Sequence, residues 1–357
     1  MDYVPLGQSG LKISRYVLGT LTFAGTNGFE PMGSLDAIGA SRLIDMALDA
    51  GVNSIDTANL YSKGDSEEVL GEALAGRRDR VLLFSKARMP MGEGPNDGGA
   101  SRHHILSQID GSLSRLRTDH LDMYWVHAWD GVTPVEETVE VMTGLVKAGK
   151  IRYWGVSNYS GWQLTKIAMT ARTPGFIAPV AHQLHYAPHA REAEYEMLPA
   201  AQDFGLASMV WSPLGEGLLT GKIDRDTPAP AGTRQGQDWP EPYLPDTEQL
   251  YRVIDVLKEV ADESAATVPQ VALAWLRERP GIDAIVLGAR NEEQLRDNLD
   301  SWRLELSAEQ SARIERAGRP AALYPFWHRA QTAMDRPSPF EKESLNNWRD
   351  SQGLERV

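Results

Sequence analysis

The sequence predicts an α/β fold, a (β/α)8 TIM barrel within a chain of 357 residues, preceded by a β-hairpin. Three observations carry this expectation. Eight short apolar runs recur along the chain, segments of helical period separate them, and the runs end in polar residues. Alternation of this kind builds a parallel sheet, because a crossover between parallel strands needs a dozen or more residues, usually a helix. A doubly wound open sheet is the alternative architecture.

Taken in order, residues 3–6 and 11–14 are extended runs flanking the turn sequence GQSG, which is a hairpin signal. Barrel strands are expected at 16–19, 54–56, 81–84, 121–126, 151–156, 180–183, 207–211 and 284–287. Between them apolar residues recur at helical spacing: Leu43, Ala47 and Ala50; Val69 and Ala73; Ile105, Ile109, Leu113 and Leu116; Val135, Val139, Met142 and Leu145; Leu164, Ile167 and Ala168. Ser101 and Thr133 read as helix starts, with Pro134 at the first helical position. Two further helices, about 247–263 and 269–277, precede the last strand. Residues 212–245 are rich in Gly and Pro without sustained helical period, which predicts a long loop after strand seven.

Composition narrows the function classes. Apolar residues make up 42% of the chain, enough for a substantial core. The absence of cysteine excludes disulfides, thiolate zinc sites and cysteine nucleophiles. A net charge of −13 argues against general nucleic-acid binding, while leaving room for a small anionic ligand held by a few local basic residues. The N-terminus has no basic segment followed by an apolar run, and no stretch approaches membrane-spanning length, so a soluble cytoplasmic protein with no membrane partner is expected.

Barrels of this kind place their active sites at the carboxyl ends of the strands. Those ends read Gly19 and Thr20, Asp56, Lys86, His127, Ser157 and Asn158, Gln183, Trp211 and Ser212, and Gly288 to Arg290. Asp56 and Lys86 end neighbouring runs, and Tyr61 follows Asp56 closely, so a carboxylate, a phenol and an ammonium would share one pocket. A phenol of pKa about 10 is too weak an acid for work near neutrality. A nearby ammonium lowers that value, and a carboxylate paired to the ammonium keeps it charged and in place. His127 could donate a hydrogen bond to a substrate oxygen. Together these groups make a site for polarising and protonating a carbonyl.

Each residue taken singly has an ordinary explanation: Asp56 as a helix cap, Tyr61 as a half-buried loop aromatic, Lys86 as a solvated charge. Their joint occurrence at strand ends does not. Ser157 lies in GVSNY, which is not the G-x-S-x-G elbow of a hydrolase. His182, His185 and His189 have the spacing of a metal cluster on a helix, but a strand end and Pro188 interrupt any helix, and no metal is expected. His103 and His104 are adjacent and point to different helix faces. Residues 92–99, GEGPNDGG, lack G-x-G-x-x-G and contain Pro95, which predicts a flexible loop beside the rim. Phe23, Trp129, Trp239 and Phe326 either line a substrate pocket or cover the barrel.

With these residues in view, the chain resembles the aldo-keto reductases. The motifs are LGTLTF (18–23), GVNSIDTANLYSKGDSEEVLG (51–71), FSKAR (84–88), LDMYWVH (121–127), GKIRYWGVSNYS (149–160), WSPLGEGLLTGK (211–222) and LGARNEEQLRDNL (287–299). The resemblance covers residues 1–316. The remainder, 317–357, is expected to be a C-terminal extension packed on the barrel, because Tyr324, Phe326, Trp327, Phe340 and Trp348 are too many aromatics for a plain disordered tail.

The resemblance implies that Asp56, Tyr61, Lys86 and His127 form the catalytic tetrad, with Tyr61 protonating the carbonyl oxygen during NADPH-dependent reduction of a small-molecule aldehyde or ketone. It places the cofactor along Gly19, Thr20 and Asp56, with Ser157, Asn158 and Gln183 on the carboxamide and Trp211 stacked on the nicotinamide. Ser212, Pro213, Leu214, Gly217, Leu219 and Lys222 would cover the pyrophosphate. Gly288, Arg290, Gln294, Asp297 and Asn298 would hold the adenosine end, Arg290 facing the 2′-phosphate, which favours NADPH over NADH. Phe23, Tyr61, His127 and Trp129 would line the substrate pocket. Asn291 stands where many relatives carry Ser, Thr or Lys, and Asp297 where Glu is frequent. Two other classes compete: a cofactor-bound sensor similar to potassium-channel β subunits, and a metal-dependent barrel hydrolase or lyase.

Overall fold

The hairpin strands β1 (Tyr3–Pro5) and β2 (Lys12–Ser14) pair antiparallel, with Val4 opposite Ile13. In the computed structural model, residues 1–227, 229–231, 233–236, 244 and 246–357 are described. Among these, the strands β3 (Tyr16–Gly19), β4 (Ser54–Asp56), β5 (Leu82–Ala87), β6 (Leu121–Val126), β7 (Ile151–Ser157), β8 (Ala181–His185), β9 (Ala207–Trp211) and β10 (Ala284–Leu287) run parallel in chain order. Pairing of β10 with β3 closes the barrel, which rules out an open sheet.

Helices α1 (Ala37–Asp49), α2 (Asp65–Ala73), α3 (Arg102–Arg115), α4 (Val135–Lys147), α5 (Gly161–Thr170) and α6 (Met197–Phe204) link successive strands. The pair α7 (Thr247–Ser264) and α8 (Val268–Arg277) precedes β10, and α9 (Glu292–Asp300) and α10 (Ala308–Ala317) follow it. Helices α11 (Phe326–Thr332) and α12 (Pro339–Ser351) end the chain. No helix among the described residues is long and apolar enough to cross a membrane.

Period-two alternation decides which side chains enter the barrel. Val17, Phe84, Met123, Trp125, Ala181, Ala207, Met209 and Ala284 fill the interior, and Leu6 and Ile13 of the hairpin segment join the same cluster. The intervening positions, such as Leu83, Tyr124 and Val156, pack outward with the helices in the larger core. Gly155 lies opposite Trp125 in the β6–β7 register. A Cβ there would meet the Ala181 carbonyl at 2.4 Å and Trp125 Cζ3 at 2.8 Å, so only glycine leaves room for the indole.

Several boundaries differ from expectation. Strand β5 extends to Ala87 and β8 to His185, so Lys86 and Gln183 sit within strands whose polar residues still pair. Ser101 caps α3 through the His104 amide at 3.3 Å. At α4, however, Pro134 is the N-cap, held extended at ψ 131, and the Thr133 hydroxyl donates to Asp130 at 2.6 Å instead. The expected loop after strand seven contains short turns at Gly215–Thr220 and Arg234–Gly236. Trp239 lies outside the described residues. In the C-terminal segment Ala330, Met334 and Leu345 are buried with Phe326 and Trp348 packed on them. Phe326 contacts Tyr195 at 5.1 Å between ring centres, whereas Tyr324 stays 74% exposed. The Phe340 side chain lies outside the described residues.

Candidate active site

The interior alternation carries polar side chains to the barrel mouth: Ser54 then Asp56 on β4, Phe84 then Lys86 on β5, Gly155 then Ser157 on β7, Ala181 then Gln183 on β8. Lys86 is fully buried, and its ammonium donates to Asp56 Oδ2, to the Thr57 carbonyl at 2.9 Å and to the Tyr61 hydroxyl at 3.3 Å. The other carboxylate oxygen of Asp56 accepts from Trp125 Nε1 and from Gln183 Nε2, each at 3.1 Å. A buried charge is costly unless paired and hydrogen-bonded. Here both charges are. Burial works against the ammonium, but Asp56 and then Tyr61 outweigh it, and the Lys86 pKa lies above its ordinary value.

Tyr61 is aimed by an unusual turn. Ser62 and Lys63 have φ of 49° and 51°, and Gly64 follows at 107° as the N-cap of α2. These left-handed residues cost strain, which Ser62 offsets by accepting from the Gly25 and Thr26 amides at 3.2 and 3.3 Å. Burial raises the Tyr61 hydroxyl above its ordinary pKa, and the opposing pull of Lys86 does not reverse this. The expected lowering is thus corrected: desolvation of this half-buried phenol outweighs the ammonium, and Tyr61 keeps its proton near neutrality.

His127 follows β6 directly. Its amide donates to the Ala87 carbonyl at 2.9 Å, its ring stands edge-on to Tyr61 at 6.1 Å, and its Nδ1 is buried without a protein partner. Burial, then the cations Lys86 and Arg88, holds its pKa well below the ordinary range, so the imidazole is neutral.

Around the mouth, Asn158 takes φ 57°, donates to the His127 carbonyl at 2.9 Å and accepts from Trp211 Nε1 at 3.0 Å. His185 lies against the Trp211 ring at 4.7 Å. Ser157 Oγ is buried with no hydrogen-bond partner in the protein. Beyond β10, Asn298 donates to the exposed Gly288 carbonyl at 3.1 Å, and Gln294 accepts from the Arg290 amide at 2.9 Å. The Arg290 guanidinium donates to the Pro31 and Met32 carbonyls. Burial and the neighbouring Arg234 lower its pKa. Lys222 is exposed and Gly217 is open, whereas Pro213 and Leu219 are buried.

Some expected residues stand elsewhere. Phe23 has no exposure and belongs to the main core, so it does not wall an open pocket; Phe29, at 6.5 Å from Tyr61, takes the position beside the phenol. Gly19 and Thr20 are buried against neighbouring strands, a Cβ at Gly19 meeting Val286 at 2.7 Å and the Thr20 amide bonding the Asp56 carbonyl at 3.1 Å. Asp297 accepts from Thr267 and Gln270 at the start of α8. Trp129 forms a rim with Tyr159 and Trp162, each at 5.3 Å. Trp125, Phe29, Arg88 and Arg234 were not expected at the site. The strand parity Phe84–Lys86 and Met123–Trp125 was the signal available for two of them. Among the described residues no cluster of three or more His, Asp or Glu is arranged for a metal ion.

Comparison with known proteins extends this geometry. Residues 15–319 match the Aldo/keto reductase family. The chain is 38% identical over 323 residues to "Uncharacterized oxidoreductase YrpG" of Bacillus subtilis (strain 168), covering 87% of this chain and 93% of that protein. It is 34% identical over 305 residues to a "Probable voltage-gated potassium channel subunit beta" of Oryza sativa subsp. japonica, covering 84% of this chain and 90% of the other. A similarly named protein of Arabidopsis thaliana matches at 34% over the same shares. A closed eight-stranded barrel, an interior Asp–Lys–Tyr contact and a family match across nearly the whole chain agree: this protein belongs to the aldo/keto reductase family and is an NAD(P)H-dependent oxidoreductase.

Proposed function

We propose that the protein uses NADPH to reduce an aldehyde or ketone to an alcohol, and runs the reverse oxidation, with Tyr61 as the proton donor. The observation that supports this most is the contact series Asp56, Lys86, Tyr61, with the neutral His127 beside the phenol. Tyr61 gives its proton to the carbonyl oxygen, and the Lys86 ammonium, 3.3 Å away, stabilises the phenolate left behind. Asp56 keeps that ammonium charged and, through Trp125 and Gln183, fixed in place. A neutral imidazole presents one N–H, which His127 can donate to the same oxygen.

The residues at the mouth fit a nicotinamide cofactor. The buried, unpartnered Ser157 hydroxyl, with Asn158 and Gln183, would take a carboxamide. Trp211 offers a flat face backed by His185. Ser212, Leu214 and Lys222 would take the pyrophosphate, and Gly288, Arg290, Gln294 and Asn298 the adenosine end. When bound, the cofactor supplies the hydride. NADPH over NADH is favoured because burial and the neighbouring Arg234 disfavour the charge of Arg290, and a phosphate relieves that cost.

Steady-state oxidation of NADPH and of NADH with a panel of aldehydes and ketones tests this. Turnover with at least one carbonyl compound, faster with NADPH, is expected. Tight NADP+ binding with negligible turnover across the panel would overturn it and favour a cofactor-bound subunit role, the plant relatives being named as potassium channel β subunits.

A further inference from the structure

Arg88 continues the inward alternation of Phe84 and Lys86 one step beyond β5. The bond from the His127 amide to the Ala87 carbonyl starts Arg88 directly beside His127. Its φ of 144° is one that side-chain-bearing residues rarely adopt, and the Gly99 amide holds the Arg88 carbonyl there at 2.8 Å. Strain of this kind concentrates at functional positions.

The guanidinium is partly buried, its Nε is inaccessible without a partner, and no ion pair or hydrogen bond reaches it among the described residues. Arg115 is served by Glu67, Arg191 by Glu194 and Glu315, and Arg277 by the carbonyls of Ser301, Trp302 and Leu304; Arg319 shares the inaccessible, unpartnered Nε but follows α10, whereas Arg88 adjoins His127. The nearby acids are committed. Asp130 accepts from the Ala100, Val132 and Thr133 amides, and Asp97 from the Gly94 amide. A cation that has lost part of its hydration without gaining a counter-charge is disfavoured, and an incoming anion removes that cost.

We propose that Arg88 is the specificity-determining residue of the site, and that the preferred substrate is a carbonyl compound carrying a carboxylate, which the guanidinium takes while Tyr61 and His127 hold the carbonyl oxygen. This rests on the reductase function proposed above. The planar fork of a guanidinium matches a carboxylate in two-point contact, and the half-buried Trp129, backed by the buried Tyr159, offers an apolar face for the intervening carbon skeleton.

The test compares 4-carboxybenzaldehyde with its methyl ester, for the full chain with NADPH and for Arg88→Leu and Arg88→Lys. The unaltered protein should prefer the acid in kcat/KM by about tenfold or more, the value of a hydrogen-bonded charge pair. Arg88→Leu should lose about 10- to 100-fold on the acid, chiefly through KM, and less than about threefold on the ester, with Arg88→Lys recovering part of the loss. Parallel losses on acid and ester, or preference for the ester, would overturn the proposal. A second readout needs no turnover: benzoate binding to the NADP+ complex, followed by tryptophan fluorescence. Benzoate binding that Arg88→Leu abolishes supports the assignment even where no aldehyde is reduced, which would count against the reductase function alone; equal binding by both proteins overturns the assignment.

Discussion

Replacing Lys86 with methionine keeps much of the side-chain volume and deletes one buried charge. Asp56 then retains the Trp125 and Gln183 donors but no cation, in a site where it is 2% exposed. Breaking a buried ion pair by removing one partner costs about 3–5 kcal/mol. For a chain of 357 residues that corresponds to a fall in Tm of about 4–7 °C. Adding Asp56→Asn removes the orphaned charge and should return most of the loss, leaving the double variant within about 2 kcal/mol of the parent. Catalysis should not return with stability. At 3.3 Å and an effective dielectric of 20, the ammonium–phenolate attraction is about 5 kcal/mol, so forfeiting even most of it slows turnover by about 10³-fold or more. Denaturant midpoints and kcat for the three proteins give both readouts. A stability loss under about 1 kcal/mol in Lys86→Met, or a double variant that regains turnover, would refute the role assigned to the pair.

Gly155→Ala should cost about 1–3 kcal/mol and reduce turnover as well, because the new methyl displaces Trp125 from Asp56; thermal melts and kcat check both effects. Ser157→Ala should weaken NADPH binding by about three- to tenfold, measured by fluorescence titration, since it removes one donor from the fitted cradle. Stability should fall with acid. His182 and His189 are pushed down to about 3, mainly by burial. The unfolded chain takes up their protons near 6.5 and the folded one near 3, so this contribution is full above 6.5 and shrinks as pH falls toward 3. Each histidine then costs about 2 kcal/mol of stability by pH 5. Denaturant midpoints at pH 7, 6 and 5 should fall steadily, and His182→Phe should flatten the slope; an unchanged slope would show that His182 takes no part.

What was legible in the sequence came from polar residues at the ends of apolar runs. Eight such runs were enough to expect a barrel and to set Asp56, Lys86 and Gln183 at its mouth, where the structure brings them together. Strand ends were less legible, because β5 and β8 continue through polar residues once those residues find partners inside the barrel. Residues whose role depends on what lies across space were not legible. Trp125 looks like filler in an apolar run until its indole N–H meets Asp56. Phe23 looks like a rim residue until the chain folds it into the core. The sign of the Tyr61 shift depended on desolvation, which no spacing reveals. Arg88 was visible as a letter in FSKAR, but its lack of a counter-charge is a property of the assembled loops.

The proton transfer assigned to Tyr61 is tested most directly by Tyr61→Phe, which removes only the hydroxyl that Lys86 touches. With a carbonyl substrate that the parent protein reduces, the variant should bind NADPH within about threefold of the parent while kcat falls by at least about 10²-fold. Carbonyl reduction at the parent rate by a folded, NADPH-binding Tyr61→Phe protein would contradict it.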